Sequence, residues 1–130
     1  IFRIQNDLFD LGADLCVPES DTLDYEPLRI TQIQVDRLEK EIDNMNSNLE
    51  ALSSFILPGG TKEAAYLHLA RTTARKAERL IISLTQKEKI NPICVKYINR
   101  LSDHLFVTAR LVNKYNKKSD ILWVPGKSRK

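Results

Sequence analysis

Cysteine, tryptophan, methionine and glycine are all scarce in these 130 residues, which hold 2 Cys, 1 Trp, 1 Met and 4 Gly. Cys16 and Cys94 lie far apart, without the paired spacing of a zinc site or a disulfide framework, so they read as reduced core thiols in a reducing compartment. His68 and His104 have no Cys or His at ligand spacing, and no Glu-x-x-His occurs, which argues against a di-iron bundle or another protein-held transition metal. No apolar run reaches the roughly 18 to 20 residues of a membrane span, and no signal-peptide pattern opens the chain. Period-two alternation is missing as well, as are internal repeats, so neither a half-buried sheet nor a solenoid is expected.

What is present is helical periodicity. The chain opens directly into Ile1, Ile4, Leu8, Leu11 and Leu15, a stripe that starts as if already under way, so a preceding segment is expected. Val35, Leu38, Ile42, Met45, Leu49, Leu52 and Ile56 predict a long helix over 31 to 57. Thr31 and Gln34 form a capping box at its start, and Pro58-Gly59-Gly60 ends it. Thr61 caps a third helix whose apolar arc comprises Leu67, Ala70, Ala74, Ala77, Ile81 and Leu84. Asn91-Pro92 opens a fourth, with Ile98, Leu101, Leu105, Ala109 and Val112 on one face as far as about Tyr115. Residues 17 to 30 and 117 to 130, rich in Pro and charge, read as a connecting loop and a terminus. The expectation is one all-α, up-down helical bundle domain spanning 1 to 130.

The net charge of +3 conceals a division. Residues 1 to 50 carry 4 basic and 12 acidic side chains, and residues 51 to 130 carry 16 and 5, so the halves stand at −8 and +11. The second half therefore attracts anions, or the halves face each other across a fold or subunit boundary. Arg71, Arg75 and Arg79 recur every four residues beside the apolar arc, joined by His68 and flanked by Glu78. Three guanidinium forks at a core rim suit phosphate oxygens; a solvated face of ordinary ion pairs is the plainer alternative. Asn99, Asp103, Phe106 and Arg110 share a second face, read either as a helix-to-helix network between Asp103 and an arginine or as an Asn99 that contacts ligand. Gly59-Gly60 lacks a P-loop's lysine and spacing and reads as a turn. Phe55, near the end of the expected second helix, reads on physics alone as core.

Four segments resemble the PduO-type ATP:cob(I)alamin adenosyltransferases: IQNDLFDLGADL (4 to 15), FILPGG (55 to 60), RTTARKAER (71 to 79) and YINRLSD (97 to 103). Their order and separations match that family from the start of the chain to about Arg110. The resemblance implies a homotrimer of five-helix, ferritin-like bundles with ATP sites between subunits. It also implies ATP with Mg²⁺ and cob(I)alamin as substrates, triphosphate and adenosylcobalamin as products, and a cytoplasmic setting, or an organellar matrix in a eukaryote. It assigns Arg75, Lys76, Glu78, Arg79 and Asn99 to the nucleotide, the Arg75 to Arg79 segment holding the triphosphate and neighbouring atoms, makes Arg75 and Phe55 catalytic, and gives Arg71 to ATP and to an interface brace. Phe55 falls under the corrin ring, where it keeps a base or water off cobalt. Two departures stand out: the family's N-terminal ATP loop lies upstream of the matching region, and Lys76 takes the place of a frequent second arginine, keeping charge without the fork.

A second reading comes from charge alone: a non-catalytic helical module that binds an acidic partner or RNA through the basic half and the Lys127–Lys130 tail. The absence of interleaved aromatics and the repulsion from the acidic half weigh against a nucleic-acid partner. Steep salt dependence without any corrinoid effect would favour it.

Overall fold

In the computed structural model, which describes residues 1–129, four helices follow one another: α1 (Phe2–Leu15), α2 (Gln32–Asn46), α3 (Lys62–Thr85) and α4 (Ile93–Tyr115). The fifth helix of the resembled family is not among the described residues. Partner positions give the helix directions. Glu78, His68 and Thr61 of the α3 segment meet Asn99, Phe106 and Asn113 in turn, so α3 and α4 are antiparallel. Glu41 and Met45 meet His104 and Thr108, so α2 runs parallel to α4, and Asp7 and Asp14 meet Tyr97 and Asn91, so α1 opposes it. The result is an up-down-up-down bundle in which α4 packs against all three other helices.

The helix ends follow from local chemistry. Gln34 Oε1 accepts from the Thr31 N–H at 2.9 Å, Thr61 Oγ1 from the Ala64 N–H at 3.1 Å, and Asn91 Oδ1 from the Ile93 N–H at 3.1 Å, each satisfying a donor at a helix start. The second helix stops at Asn46 instead of running to 57. There Ser47 Oγ and Asn48 Nδ2 both donate to the Asn44 carbonyl, a side-chain competition that ends the backbone ladder. Leu49, Leu52 and Ile56 therefore continue the apolar spacing outside any helix. Asn113 of α4 clamps the segment that follows, donating to the Gly59 carbonyl and accepting from the Thr61 N–H at 2.9 Å. Gly60 lies there at φ 108°, and a Cβ at this position would collide with the Asn113 carboxamide.

The core joins Val35 and Leu38 of α2, Ala74 and Ile81 of α3, and Cys94, Ile98 and Leu101 of α4, closed by Ile4, Leu11 and Ile30. On α1 the buried stripe is Ile4, Asp7, Leu11 and Asp14, and the expected Ile1 and Leu8 are exposed. Apolar spacing cannot register a charge that is buried because it has partners. Ala70 of the expected α3 arc is also exposed, as is Cys16.

Both buried carboxylates of α1 tie elements together. Asp7 accepts from Tyr97 Oη at 2.8 Å and from Gln34 Nε2 at 3.0 Å, and pairs with Arg37. Asp14, fully buried, accepts from Arg29 at 2.7 Å, the Ile30 N–H at 2.8 Å and Asn91 Nδ2 at 2.8 Å. Burial alone pushes the Asp14 carboxyl up, but the bonds from Asn91, Arg29 and Ile30 outweigh it and hold the group below the ordinary carboxylate value. A depressed folded-state pKa contributes stability that is present above the unfolded value and is lost as pH falls through the folded one. Asp14→Ala is expected to cost about 3–5 kcal/mol in urea denaturation at pH 7, since it strands the Arg29 cation and two further donors. The gap between variant and parent should stay level down to about pH 4 and shrink in more acid solution.

Candidate functional site

Glu78 is the centre of the polar chemistry on α3. It is only 6% exposed, and it bridges two helices: its Oε1 accepts from Asn99 Nδ2 of α4 at 2.8 Å, while its Oε2 pairs with Arg75 one turn back. Arg100 donates to Asn99 Oδ1 at 2.6 Å and pairs with Asp103 at 2.8 Å. The Asn99 amide is thereby held at both ends and cannot rotate without breaking bonds. Arg75 uses one Nη for Glu78, which leaves Nε and the other Nη without a protein partner among the described residues. Its side chain is half exposed, so this fork points outward from a fixed base. Glu78 and Asn99 also line a cavity of about 380 Å³, together with Arg100, Lys96, Gln32 and Glu39.

The remaining predicted residues are distributed along the bundle. Lys76 and Arg79 are exposed beside Arg75 and form no ion pair among the described residues. One turn from Arg75 toward the α3 start, Arg71 lies over the Phe106 ring at 5.7 Å with its buried Nε unbonded. His68, one turn further, packs edge-on to the same ring, and neither of its ring nitrogens has a partner. Asp103 pairs within its own helix, which rules out the helix-to-helix Asp103–arginine network, one of the two readings of this face; Arg110 pairs with Asp120 at 2.9 Å beyond α4.

Phe55 sits at the opposite end of α3 from Glu78, roughly 25 Å along a helix that rises 1.5 Å per residue. It is neither helical nor core: at 76% exposure it stands on a short ribbon in which the Trp123 N–H donates to the Phe55 carbonyl and the Leu57 N–H to the Ile121 carbonyl, both at 2.7 Å. The Trp123 ring meets it edge to face with centroids 6.0 Å apart. Phe55 and the Arg75–Glu78–Asn99 cluster therefore lie in two separate places on the chain. Trp123, Asn113, Asp120 and Arg100 were missed in the sequence; the one usable signal was the only tryptophan, set in the apolar run ILWV.

Residues 1–112 match the family model of the cobalamin adenosyltransferases. The chain belongs to that family. It is 47% identical over 129 residues to the corrinoid adenosyltransferase of Mycobacterium leprae, covering 95% of this chain and 66% of that protein. To the corrinoid adenosyltransferase of Mycobacterium tuberculosis it is 46% identical over 129 residues, covering 98% and 65%. A solved structure of a PduO-type ATP:corrinoid adenosyltransferase variant from Lactobacillus reuteri, complexed with cobalamin and ATP, superposes with a TM-score of 0.87 at 41% identity, covering 93% of this chain and 66% of that one. The chain spans about two thirds of the length of the curated relatives it matches.

The His68 ring favours its neutral form. Burial, and then the Arg71 cation, push its pKa below the ordinary 6.5, with Asp120 opposing. In an NMR titration the His68 ring should therefore protonate only at a lower pH than an exposed histidine does.

Proposed function

We propose that this chain is the helical-bundle domain, residues 1 to 130, of a corrinoid adenosyltransferase that moves the 5′-deoxyadenosyl group of ATP to cob(I)alamin. The observation that carries this reading is the Glu78 bridge, which fixes Arg75 and Asn99 on neighbouring helices, with Glu78 and Asn99 themselves lining a cavity. Fixed donors suit a leaving group that gains charge, because they need no reorganisation as that charge appears.

In the reaction, cobalt(I) contributes its electron pair to the ribose 5′ carbon. The carbon–oxygen bond breaks, and that bond's electron pair leaves with triphosphate. Arg75, with its outward Nε and Nη, meets the departing phosphates, and Arg79 and Lys76 add positive potential nearby; Mg²⁺ arrives with ATP. Asn99, locked between Glu78 and Arg100, orients the ribose end of the nucleotide. Phe55 offers an apolar face, braced by Trp123, for the underside of the corrin ring. An apolar floor leaves cobalt without a lower ligand, which eases its reduction to the nucleophilic state.

The separation of Phe55 from Arg75 along α3 supports a homotrimer in which each active site forms between subunits, with a fifth helix completing each bundle. The unbonded Arg71 Nε supports the same assembly, since a buried guanidinium atom calls for an acceptor from elsewhere. A cytoplasmic or organellar-matrix setting fits such an enzyme. No helix among the described residues is long and apolar enough to cross a membrane.

The test is an anaerobic absorbance assay with full-length protein, MgATP and chemically reduced cob(I)alamin. Conversion to adenosylcobalamin is expected, with Arg75→Ala lowering kcat by about 10²–10³-fold, the usual effect of losing one fixed donor to developing charge. Arg75→Lys should recover only part of the loss, because an ammonium lacks the fork. Absence of turnover in the parent protein would leave a non-catalytic binding module as the better reading.

A further inference from the structure

The ribbon that carries Phe55 has two faces. Its pairing sets Phe55 opposite Trp123 and Leu57 opposite Ile121, so these four side chains stand on one face, while Ile56 and Leu122 project from the other. Leu122 lines a cleft of about 490 Å³, together with Leu49, Leu52, Lys114, Lys117 and Lys118.

The cleft is cationic in a specific way. Arg110, buried at its base, is already engaged by Asp120 and by the Glu50 carbonyl, and Lys114 donates to the Asn48 carbonyl. Lys117 and Lys118 form no ion pair among the described residues, and the one carboxylate of the cleft not already paired is Glu50. Lys117 also holds an unusual backbone, with φ 54°, in the left-handed position that closes α4: the Lys118 N–H reaches back to the Asn113 carbonyl at 2.9 Å. Glycine is the residue that fits such a helix end most easily, yet a lysine occupies it and lines the cleft. Two unpaired ammonium groups beside a leucine wall suit a singly charged phosphodiester attached to an organic body.

The corrinoid substrate of the adenosyltransferase reading carries one such group, in the nucleotide tail that hangs from the edge of its ring and ends in the base. With Phe55 under the ring, that base has lost its place at cobalt and the tail must lie elsewhere. We propose, resting on that reading, that the cleft holds the phosphodiester of the displaced tail. The ring lies on the Phe55–Trp123 face, and the tail passes the edge of the ribbon, whose strands are about 5 Å apart, to reach Lys117 and Lys118. The cleft is then a determinant of corrinoid selectivity: it recognises tailed corrinoids and is indifferent to tailless ones.

The experiment compares cobalamin with cobinamide, which lacks the nucleotide tail, in the full-length protein and in a Lys117→Gly, Lys118→Gln double variant. Glycine relieves the left-handed backbone as it removes the charge, so the helix end is retained. Loss of two exposed charge contacts is expected to raise KM for cobalamin about three- to tenfold, with KM for cobinamide and kcat for both unchanged. Inorganic phosphate should raise the parent's KM for cobalamin but not for cobinamide. Equal changes for the two corrinoids, or no change for either, would overturn the tail site while leaving the adenosyltransferase reading intact. Phosphate inhibition equal for both would also overturn it, by assigning the cleft to a free anion. If the parent protein adenosylates neither corrinoid, both readings fall together.

Discussion

A carboxylate taken out of water has to be surrounded by donors, and much of this structure follows from where the donors to Asp14 come from. They arrive from Arg29 and the Ile30 backbone on the connecting loop and from Asn91 at the head of α4, so a single side chain gathers α1, the loop and the last helix. Asn91 is used twice more: its amide also donates to the Ile30 carbonyl, and its oxygen caps α4. Burying Asp14 thus fixes the height at which α4 begins, and α4 is the helix on which every other one packs. Asp7 repeats the arrangement two turns away through Tyr97, whose phenol burial and the Asp7 bond keep protonated far into alkaline solution.

With α4 set, the candidate site needs only one more bond. Asn99 lies two turns beyond Asn91 on the same helix, and Glu78 comes to it because α3 returns antiparallel after a short connection. The polar cluster is therefore positioned by helix geometry alone, without any loop, which is the kind of support that keeps donors within a fraction of an ångström of a working arrangement. Phe55 is different: it rests on two extended segments joined by one isolated antiparallel bridge, at the end of the bundle where Asn113 clamps the glycine turn.

The contrast explains what could be read in the sequence. The starts of α2, α3 and α4 were legible because Thr31, Thr61 and Asn91 announce themselves by local hydrogen bonding, and the arginine stripe was legible because a helix repeats. The end of α2 was misjudged because Leu49, Leu52 and Ile56 keep the spacing after Ser47 and Asn48 have already closed the helix. The burial of Asp7 and Asp14 escaped notice because their partners lie up to 90 residues away. The pairing of Phe55 with Trp123 joins segments 68 positions apart through two backbone bonds, with no periodic signal on either side. Arg75, Glu78 and Asn99 were each singled out, but that one carboxylate joins them is a fact of helix packing.

The ribbon has a further consequence for motion. Residues 121 to 123 touch Phe55 and its neighbours through two backbone bonds and the Ser54 hydroxyl, and the Arg110–Asp120 pair anchors them to the bundle. Undoing these few bonds frees the aromatic floor without disturbing any helix, so this patch opens at a free energy far below that of unfolding the whole domain. Amide hydrogens of Leu57 and Trp123 are accordingly expected to exchange faster than those of the buried core around Leu38 and Ile98. The exposed aromatic pair thus sits on the part of the molecule that holds together by the fewest bonds.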